Sequence, residues 1–518
     1  MTKFLLSQYP NFQGARHMGR PTRKLCNRER MLRLYQLTNA PRTDDNTSHV
    51  SFSNQETSPR ENEQPSSDKL YAALQGSLET GLIVVGLLLV ALLLPRDTGG
   101  DGALRYQDIL RIFSKHTLYE PESRYSLIGP AFSIPLLFLG RKLGDPGQWI
   151  CLYNLTLFSL FLLVSYFLLR NHVDRSLLRK FFLVLIYGSM FVAHLALYYG
   201  EVFTALCVGF GVLVAFRRFT SIGGWVAVAL GVANTPATLL GLGLLVLKRM
   251  FDNKRLRYIL VFGVTGMCIL TEAWVRRGSI FSNAYANDHG VKTIMPYSGL
   301  PGFSYPFLFG LLSILFSFGK GLLFFVPGLL LPIRKTLSNW PRDRKINLYQ
   351  VYTLWICFLV GLILAYSHWW AWYGGIFWGP RFFLFACIPA SFALAVRLMR
   401  YKEASLGVNL LTLVVFCLSA WVSVDGAVFQ WVVINPTVCS QHNNAMEALC
   451  WYTPDYSALW QPFVFHLQID RGQKIFLVFS LLTAAYLAAP LFIHLLKQIW
   501  ALVKQDSSKY VNVKLWRI

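Results

Sequence analysis

Apolar residues in this chain come in long unbroken runs, not in the alternation of a strand or the stripe of a surface helix. The first sustained run, from about Ser77 to Pro95, approaches the roughly 20 residues that one helical crossing of a bilayer needs, and it stops at Arg96. Further runs follow near 149–170, 181–199, 201–216, 222–248, 258–275, 305–333, 349–366, 380–396, 406–424 and 475–496. Two are too long for one simple crossing. The run 222–248 is interrupted at Asn234-Thr235-Pro236, where proline removes a backbone donor, which predicts two short helices turning in a protein-lined pocket. The run 305–333 is interrupted at Ser317-Phe318-Gly319-Lys320-Gly321, which predicts a helix that enters, breaks and then crosses.

The stretch from Tyr125 to Gly140 carries two prolines in 16 residues, which suits an interfacial or re-entrant helix better than a span. Charge placement decides between them. With 125–140 kept on the outer face and 222–248 counted as two short crossings, there are twelve crossings, both termini are cytoplasmic, and 35 of the 49 Lys and Arg face inward. A span at 125–140 would invert every later loop. The expectation is therefore an all-α polytopic membrane protein of about 12 transmembrane crossings with an outer-face juxtamembrane helical loop. Residues 1–76, with eleven Lys or Arg and no apolar run, read as a disordered basic cytoplasmic tail. A transmembrane module follows over 77–400 with an outer loop at 96–148. More spans occupy 401–500, with an outer loop at 425–473, and 501–518 forms a cytoplasmic tail.

Composition agrees: 54% of residues are hydrophobic and 14% charged, against about 25% charged in soluble domains. The 15% aromatic content fits interfacial Trp and Tyr and lipid-facing Phe. A net charge of +23 would suggest nucleic acid in a soluble chain; here it marks the inner loops, and nucleic acid is not an expected partner. Six of the nine cysteines lie in apolar runs and no CxxC occurs. Cys439 and Cys450 share one polar loop and would pair if that loop faces an oxidising compartment.

Candidate chemistry gathers on the outer side. Gly99-Gly100-Asp101-Gly102 follows the first run: an acid among glycines can approach a ligand and accept a proton, and the same residues also make an ordinary turn and helix cap. Glu201 in Tyr198-Tyr199-Gly200-Glu201 interrupts two apolar runs; it is either a carboxylate at membrane depth, costly and so a functional candidate, or an exposed loop acid. The segment Ser367 to Phe382 holds four Trp in ten residues, more than an interfacial belt requires, and ends on Trp378-Gly379-Pro380-Arg381-Phe382. The Arg381 fork suits phosphate oxygens, or it snorkels. Lys320, between two glycines in the break of 305–333, is a point charge for phosphate or carboxylate, or it too snorkels. His368 and the loop residues Arg276, Arg277, Asp288, His289 and Lys292 are weaker candidates. Motifs for nucleotide hydrolysis, zinc proteolysis and serine hydrolysis are absent.

Taken in order over roughly 80–400, these residues resemble the polytopic GT-C glycosyltransferases, in particular bacterial relatives of dolichyl-phosphate-mannose protein mannosyltransferases and of lipid A aminoarabinose transferases. The resemblance runs through Asp101, Ile134-Pro135-Leu136-Leu137-Phe138-Leu139-Gly140, Tyr199-Gly200-Glu201, Asn234-Thr235-Pro236, Gly302-Phe303-Ser304-Tyr305-Pro306, Phe318-Gly319-Lys320-Gly321-Leu322, Trp378-Gly379-Pro380-Arg381-Phe382 and Pro389. It implies inverting transfer of a sugar from a polyprenyl-phosphate donor to a lipid, glycan or protein acceptor on the outer face. Asp101 would be the general base and Glu201 would orient hydroxyls. Arg381, Lys320 and Arg105 would hold the donor phosphate, and Trp369, Trp370, Trp372, His368 and Tyr106 would line the sugar or prenyl groove. Many relatives carry an Asp-Glu pair where Asp101 is followed here by Gly102, so a divalent metal, the one cofactor the resemblance leaves open, would find a single acid. A lipid-linked sugar flippase or secondary transporter is the competing class; it predicts charges along a path through the spans and repeat symmetry between halves, and neither is evident. The outer loops hold no usable glycosylation sequon, Asn435 being followed by Pro436, which favours a bacterial plasma membrane.

Overall fold

A computed structural model describes residues 67–215, 221–280, 292–340, 346–375, 377–430, 439, 442–465 and 467–515. The basic tail to residue 66, Arg217, Arg218, Arg342, Arg344, Lys345, Asp288 and His289 lie outside the described residues. Among those described, regular structure is helical apart from an isolated bridge between Asp97 and Leu197. The helices of ten residues or more are α1 Ser67–Leu93, α2 Asp101–Lys115, α3 Ile134–Leu143, α4 Tyr153–Leu169, α5 Arg175–Tyr187, α6 Gly200–Ala215, α7 Ser221–Asn234, α8 Leu239–Asn253, α9 Ile259–Arg277, α10 Phe307–Phe316, α11 Leu348–Tyr366, α12 Cys387–Met399, α13 Leu406–Val428 and α14 Arg471–Leu515.

Among the described residues, seven helical segments are long and apolar enough to cross a membrane: Leu70–Leu93, Pro146–Leu169, Leu256–Arg277, Leu348–Tyr366, Arg381–Met399, Leu406–Val428 and Arg471–Lys504. Helices α6, α7 and α10 are apolar but shorter. The Arg381–Met399 segment is 83% buried and forms the centre, whereas Leu70–Leu93 and Leu256–Arg277 are each 17% buried and lie at the periphery with apolar faces outward. This burial pattern puts Arg381 at one end of the most enclosed helix. The α1–α5 contact is locked by Glu79, fully buried, which accepts from Arg179 Nε at 2.6 Å and Lys180 Nζ at 2.8 Å.

The break at Asn234 forms as the sequence predicts. Trp225, near the start of α7, and Asn253, at the end of α8, both contact Tyr258, so the two short helices run back as a hairpin through a 3-10 turn at Pro236–Thr238. Residues 125–140 are no span: they form Ile128–Ala131 and α3, and ten helical residues reach about 15 Å of the roughly 30 Å hydrocarbon core. Two expectations need correction. Helix α1 begins at Ser67, so residues 67–76, assigned to the tail, are helical. Beyond the break at Ser317–Gly321 no crossing helix forms; Gly321, Pro327, Gly328 and Pro332 leave only Leu322–Phe325 and a 3-10 turn at Pro327–Leu330. Helix α14 runs on through the expected C-terminal tail to Leu515, spanning 45 residues.

Candidate functional site

The acid after the first span is built into the fold by its glycines. Asp101 is the first residue of α2, preceded by Gly100 at φ 60°. A Cβ on Gly100 would lie 2.7 Å from the Phe377 ring, and one on Gly102 would lie 2.9 Å from the Tyr198 carbonyl. These glycines therefore let the start of α2 press between 198–199 and the Phe377 loop, where Asp101 meets Arg381. Arg381 Nη2 lies 2.5 Å from Asp101 Oδ2, and Nη1 lies 3.8 Å from Glu201 Oε1. Its Nε donates to the Gly374 carbonyl at 2.8 Å, and its guanidinium carbon stands 4.5 Å from the Phe377 ring centre and 5.2 Å from those of Tyr199 and Phe382. Two acids and three rings enclose one cation that is 5% exposed.

Arg105, one turn along α2 from Asp101, is 6% exposed. Its guanidinium lies 4.4 Å from the Tyr125 ring centre and so close to Gly200 that a Cβ there would meet it at 2.7 Å. Its Nε and Nη1, Arg381 Nη1 and Glu201 Oε2 are buried without hydrogen-bond partners. Burial pushes the Asp101 carboxyl pKa up, but Arg381, a hydrogen bond from Tyr125 and the charge of Arg105 outweigh it and hold the group below its ordinary value.

Other expected residues are placed differently. Lys320 is buried, and its ammonium donates to the carbonyls of Gly375, Phe377 and Gly379, at 2.9 Å for Gly375 and 3.1 Å for Gly379. An ammonium has three donors, so Lys320 has none left for phosphate and instead shapes the loop that carries Arg381. Trp372 is 1% exposed and packs on Tyr305, Trp451 and Tyr452; a residue so enclosed lines no groove. Trp369 and Trp370 are half-buried beside it. His368 bonds the Tyr305 carbonyl through Nδ1 at 3.2 Å and borders a 540 Å³ recess with Pro236, Leu240, Phe303 and Leu364. Tyr106 packs on the Ile109–Leu137 cluster, and burial, then Asp145, raise its pKa.

Two acids at the site, Asp425 and Glu447, escaped the sequence, and so did the contacts that Asn234 makes. Asn234 ties three elements together: its side-chain oxygen accepts from Gly129 N at 3.0 Å, and its amide donates to the Gly200 carbonyl at 2.9 Å and Thr204 Oγ1 at 3.0 Å. Its sequence signal was only a break. Asp425, fully buried, accepts from Trp378 Nε1 at 2.7 Å and fixes the residue three before Arg381; the signal was an acid at the end of an apolar run. Glu447 is buried in the short helix Glu447–Tyr452, where burial, opposed by Lys320, pushes its pKa up to about 7. A disulfide joins Cys439 to Cys450 in the same loop, with Cα atoms 5.8 Å apart. Among the described residues no group of three or more His, Cys, Asp or Glu could hold a metal ion.

A large apolar groove of about 1010 Å³ lies along the adjoining face of α2, lined by Ile109, Ile112, Phe113, Leu127, Val264 and Met267, with Glu272 and Arg276 also on its wall.

Fold and site together define a polytopic helical membrane protein that holds a charged, enclosed site at one end of its bundle. No protein-family model matches the chain, and no curated protein does. Among solved structures the chain is similar to the crystal structure of ArnT from Cupriavidus metallidurans bound to undecaprenyl phosphate. Identity is 14% and the TM-score 0.45, over 81% of this chain and 78% of that one.

Proposed function

We propose that this protein is an inverting membrane glycosyltransferase that moves a sugar from a polyprenyl-phosphate donor to an acceptor on the outer face of the plasma membrane. The observation that carries this reading is a carboxylate, Asp101, set beside two buried guanidinium groups that retain N–H donors without acceptors, Arg381 Nη1 and Arg105 Nε and Nη1. Buried donors of this kind suit the oxygens of a phosphate. The donor phosphate would bind Arg105 and Arg381, and its prenyl chain would lie in the apolar groove along α2 instead of against the tryptophans. Asp101 would take the acceptor hydroxyl proton as that oxygen attacks the anomeric carbon; the bond from that carbon to the phosphate oxygen breaks, and the phosphate leaves with the electron pair. The growing negative charge falls on the two guanidiniums, and a phosphate leaving group needs no strong acid. Glu201, with one oxygen unpartnered, would orient a donor or acceptor hydroxyl.

The test is transfer by reconstituted protein given a panel of radiolabelled polyprenyl-phosphate sugars and membrane extract. Wild type is expected to transfer label and Asp101→Asn to lose at least about 10²-fold in rate while still binding donor. Wild-type turnover by Asp101→Asn would sink the assigned base. Movement of labelled lipid between leaflets without transfer would establish the flippase instead.

A further inference from the structure

Two buried arginines stand on the central helical segment Arg381–Met399, 16 residues apart, which at about 1.5 Å per residue is roughly 24 Å. Arg381, at one end, meets Asp101 and Glu201. Arg397, in the last turn of α12 at the other end, meets no acid; among the described residues it makes no hydrogen bond and no ion pair. It is 8% exposed, its Nε is enclosed without an acceptor, and the exposure that remains includes the two terminal nitrogens. Four carboxylates of that end are engaged with other groups. Glu79 accepts from Arg179 and Lys180, Asp174 caps the Ser176 amide at 2.7 Å, Asp252 pairs with Lys248, and Glu403 pairs with Arg400. Arg400, one turn beyond Arg397, stands 4.6 Å from the ring centre of Trp340. A cation that needed only water would be exposed, as Arg334, Lys335 and Lys402 are.

We infer that Arg397 anchors a second phosphate-binding site, at the end of the bundle opposite Asp101. Enclosing a guanidinium without an acceptor is costly, and an anion seated on it offsets that cost. With its stem and Nε held by the bundle, the side chain presents Nη1 and Nη2 together, and this fork matches two oxygens of one phosphate. The separation from Arg381 approaches the roughly 30 Å of a hydrocarbon core, so the two arginines lie near opposite membrane boundaries. At the Arg397 boundary, the ring of Trp340 marks the headgroup level. The phosphate comes either from a phospholipid headgroup of that leaflet or from a soluble phosphate compound, and the contact with the fork is the same for both. The inference stands apart from the reading of Asp101 as the base.

The test follows the melting temperature of the protein in maltoside detergent during three titrations: with phosphatidylglycerol, with diacylglycerol as the same chains without phosphate, and with inorganic pyrophosphate. Wild type is expected to be stabilised by phosphatidylglycerol or by pyrophosphate, whichever is the source, and not by diacylglycerol. In Arg397→Met the half-saturating concentration of that ligand is expected to rise at least about 10-fold, the loss of a charge-assisted contact, while Arg334→Gln responds as wild type does. Because the proposed donor site also takes phosphate, the reading is the difference between Arg397→Met and wild type. Without ligand, Arg397→Met is expected to melt no lower than wild type, since it keeps an apolar stem and removes donors that had no acceptor. A half-saturation unchanged in Arg397→Met, or raised equally in Arg334→Gln, overturns the inference. So does a ligand-free melt of Arg397→Met well below that of wild type, which would mean that the protein itself satisfies the guanidinium.

Discussion

Arg381 has more negative neighbours than one guanidinium can neutralise, and that excess sets how the site responds to pH. In the free protein Asp101 is held below the ordinary carboxylate range, chiefly by Arg381 against the opposing effect of burial. A bound phosphate would share Arg381 and bring its own negative charge, and both changes raise the Asp101 pKa. A base works only when deprotonated, so activity is lost as pH falls through that pKa. With Asp101 as the proposed base, the acid limb of kcat/KM, which reports the free protein, is expected below the ordinary carboxylate range, and the limb of kcat, which reports the complex, at higher pH. Coincident limbs would show that Arg381 does not change partners. Asp101, Glu201 and Arg381 were legible in the sequence because each is a charge set against an apolar run, where charge is expensive. Arg105 was legible only through the resemblance, because an arginine on an outer helix is ordinary until it is seen buried against the Tyr125 ring. Lys320 was legible as a site residue but not in its role, since the three carbonyls it collects come from residues 55 to 59 positions away.

At the scale of elements, the turn between α7 and α8 shows what the apolar pattern contains and what it lacks. A proline after Asn234 is enough to break the run. Nothing local says that the Asn234 side chain joins the Gly129 amide to the Gly200 carbonyl, and so couples the short helix Ile128–Ala131 to the residue before Glu201. Asn234→Ala would leave the Gly129 amide buried without a partner, the Gly200 carbonyl keeping its bond within α6, and is expected to cost about 1–3 kcal/mol, read as a lowered melting temperature of the detergent-solubilised protein. An unchanged melt would mean that the amide finds water. The failed prediction of a crossing after Ser317 has a related cause: the run is apolar enough to cross, but its glycines and prolines forbid the helix, and hydropathy alone does not register that.

For the whole molecule, the apolar runs and the positive-inside rule delivered the helical bundle and gathered Asp101, Glu201, Asn234 and Arg381 at one end, as the structure has them. They could not deliver the packing of 442–465 over that end, because a polar loop has no periodicity to read. The expected orientation puts this end outside, and the Cys439–Cys450 disulfide accords with an oxidising compartment there. In a background with the free cysteines replaced, Glu122→Cys is expected to react with an impermeant maleimide on intact cells and Asn171→Cys only after permeabilisation. The reverse result would invert the topology.

The Asp101–Arg381 pair joins positions 280 residues apart. At roughly 5–20 residues per second, the ribosome delivers the acid about 14–56 s before its cation. During that interval Asp101 stands at the edge of the membrane, where water can solvate it at little cost. Arg381, by contrast, enters the enclosed end of the bundle and finds its counter-charges already waiting. Reversing that order of arrival would have left a guanidinium to be enclosed before its acids were made, so the direction of synthesis itself favours an acid early in the chain and an arginine late.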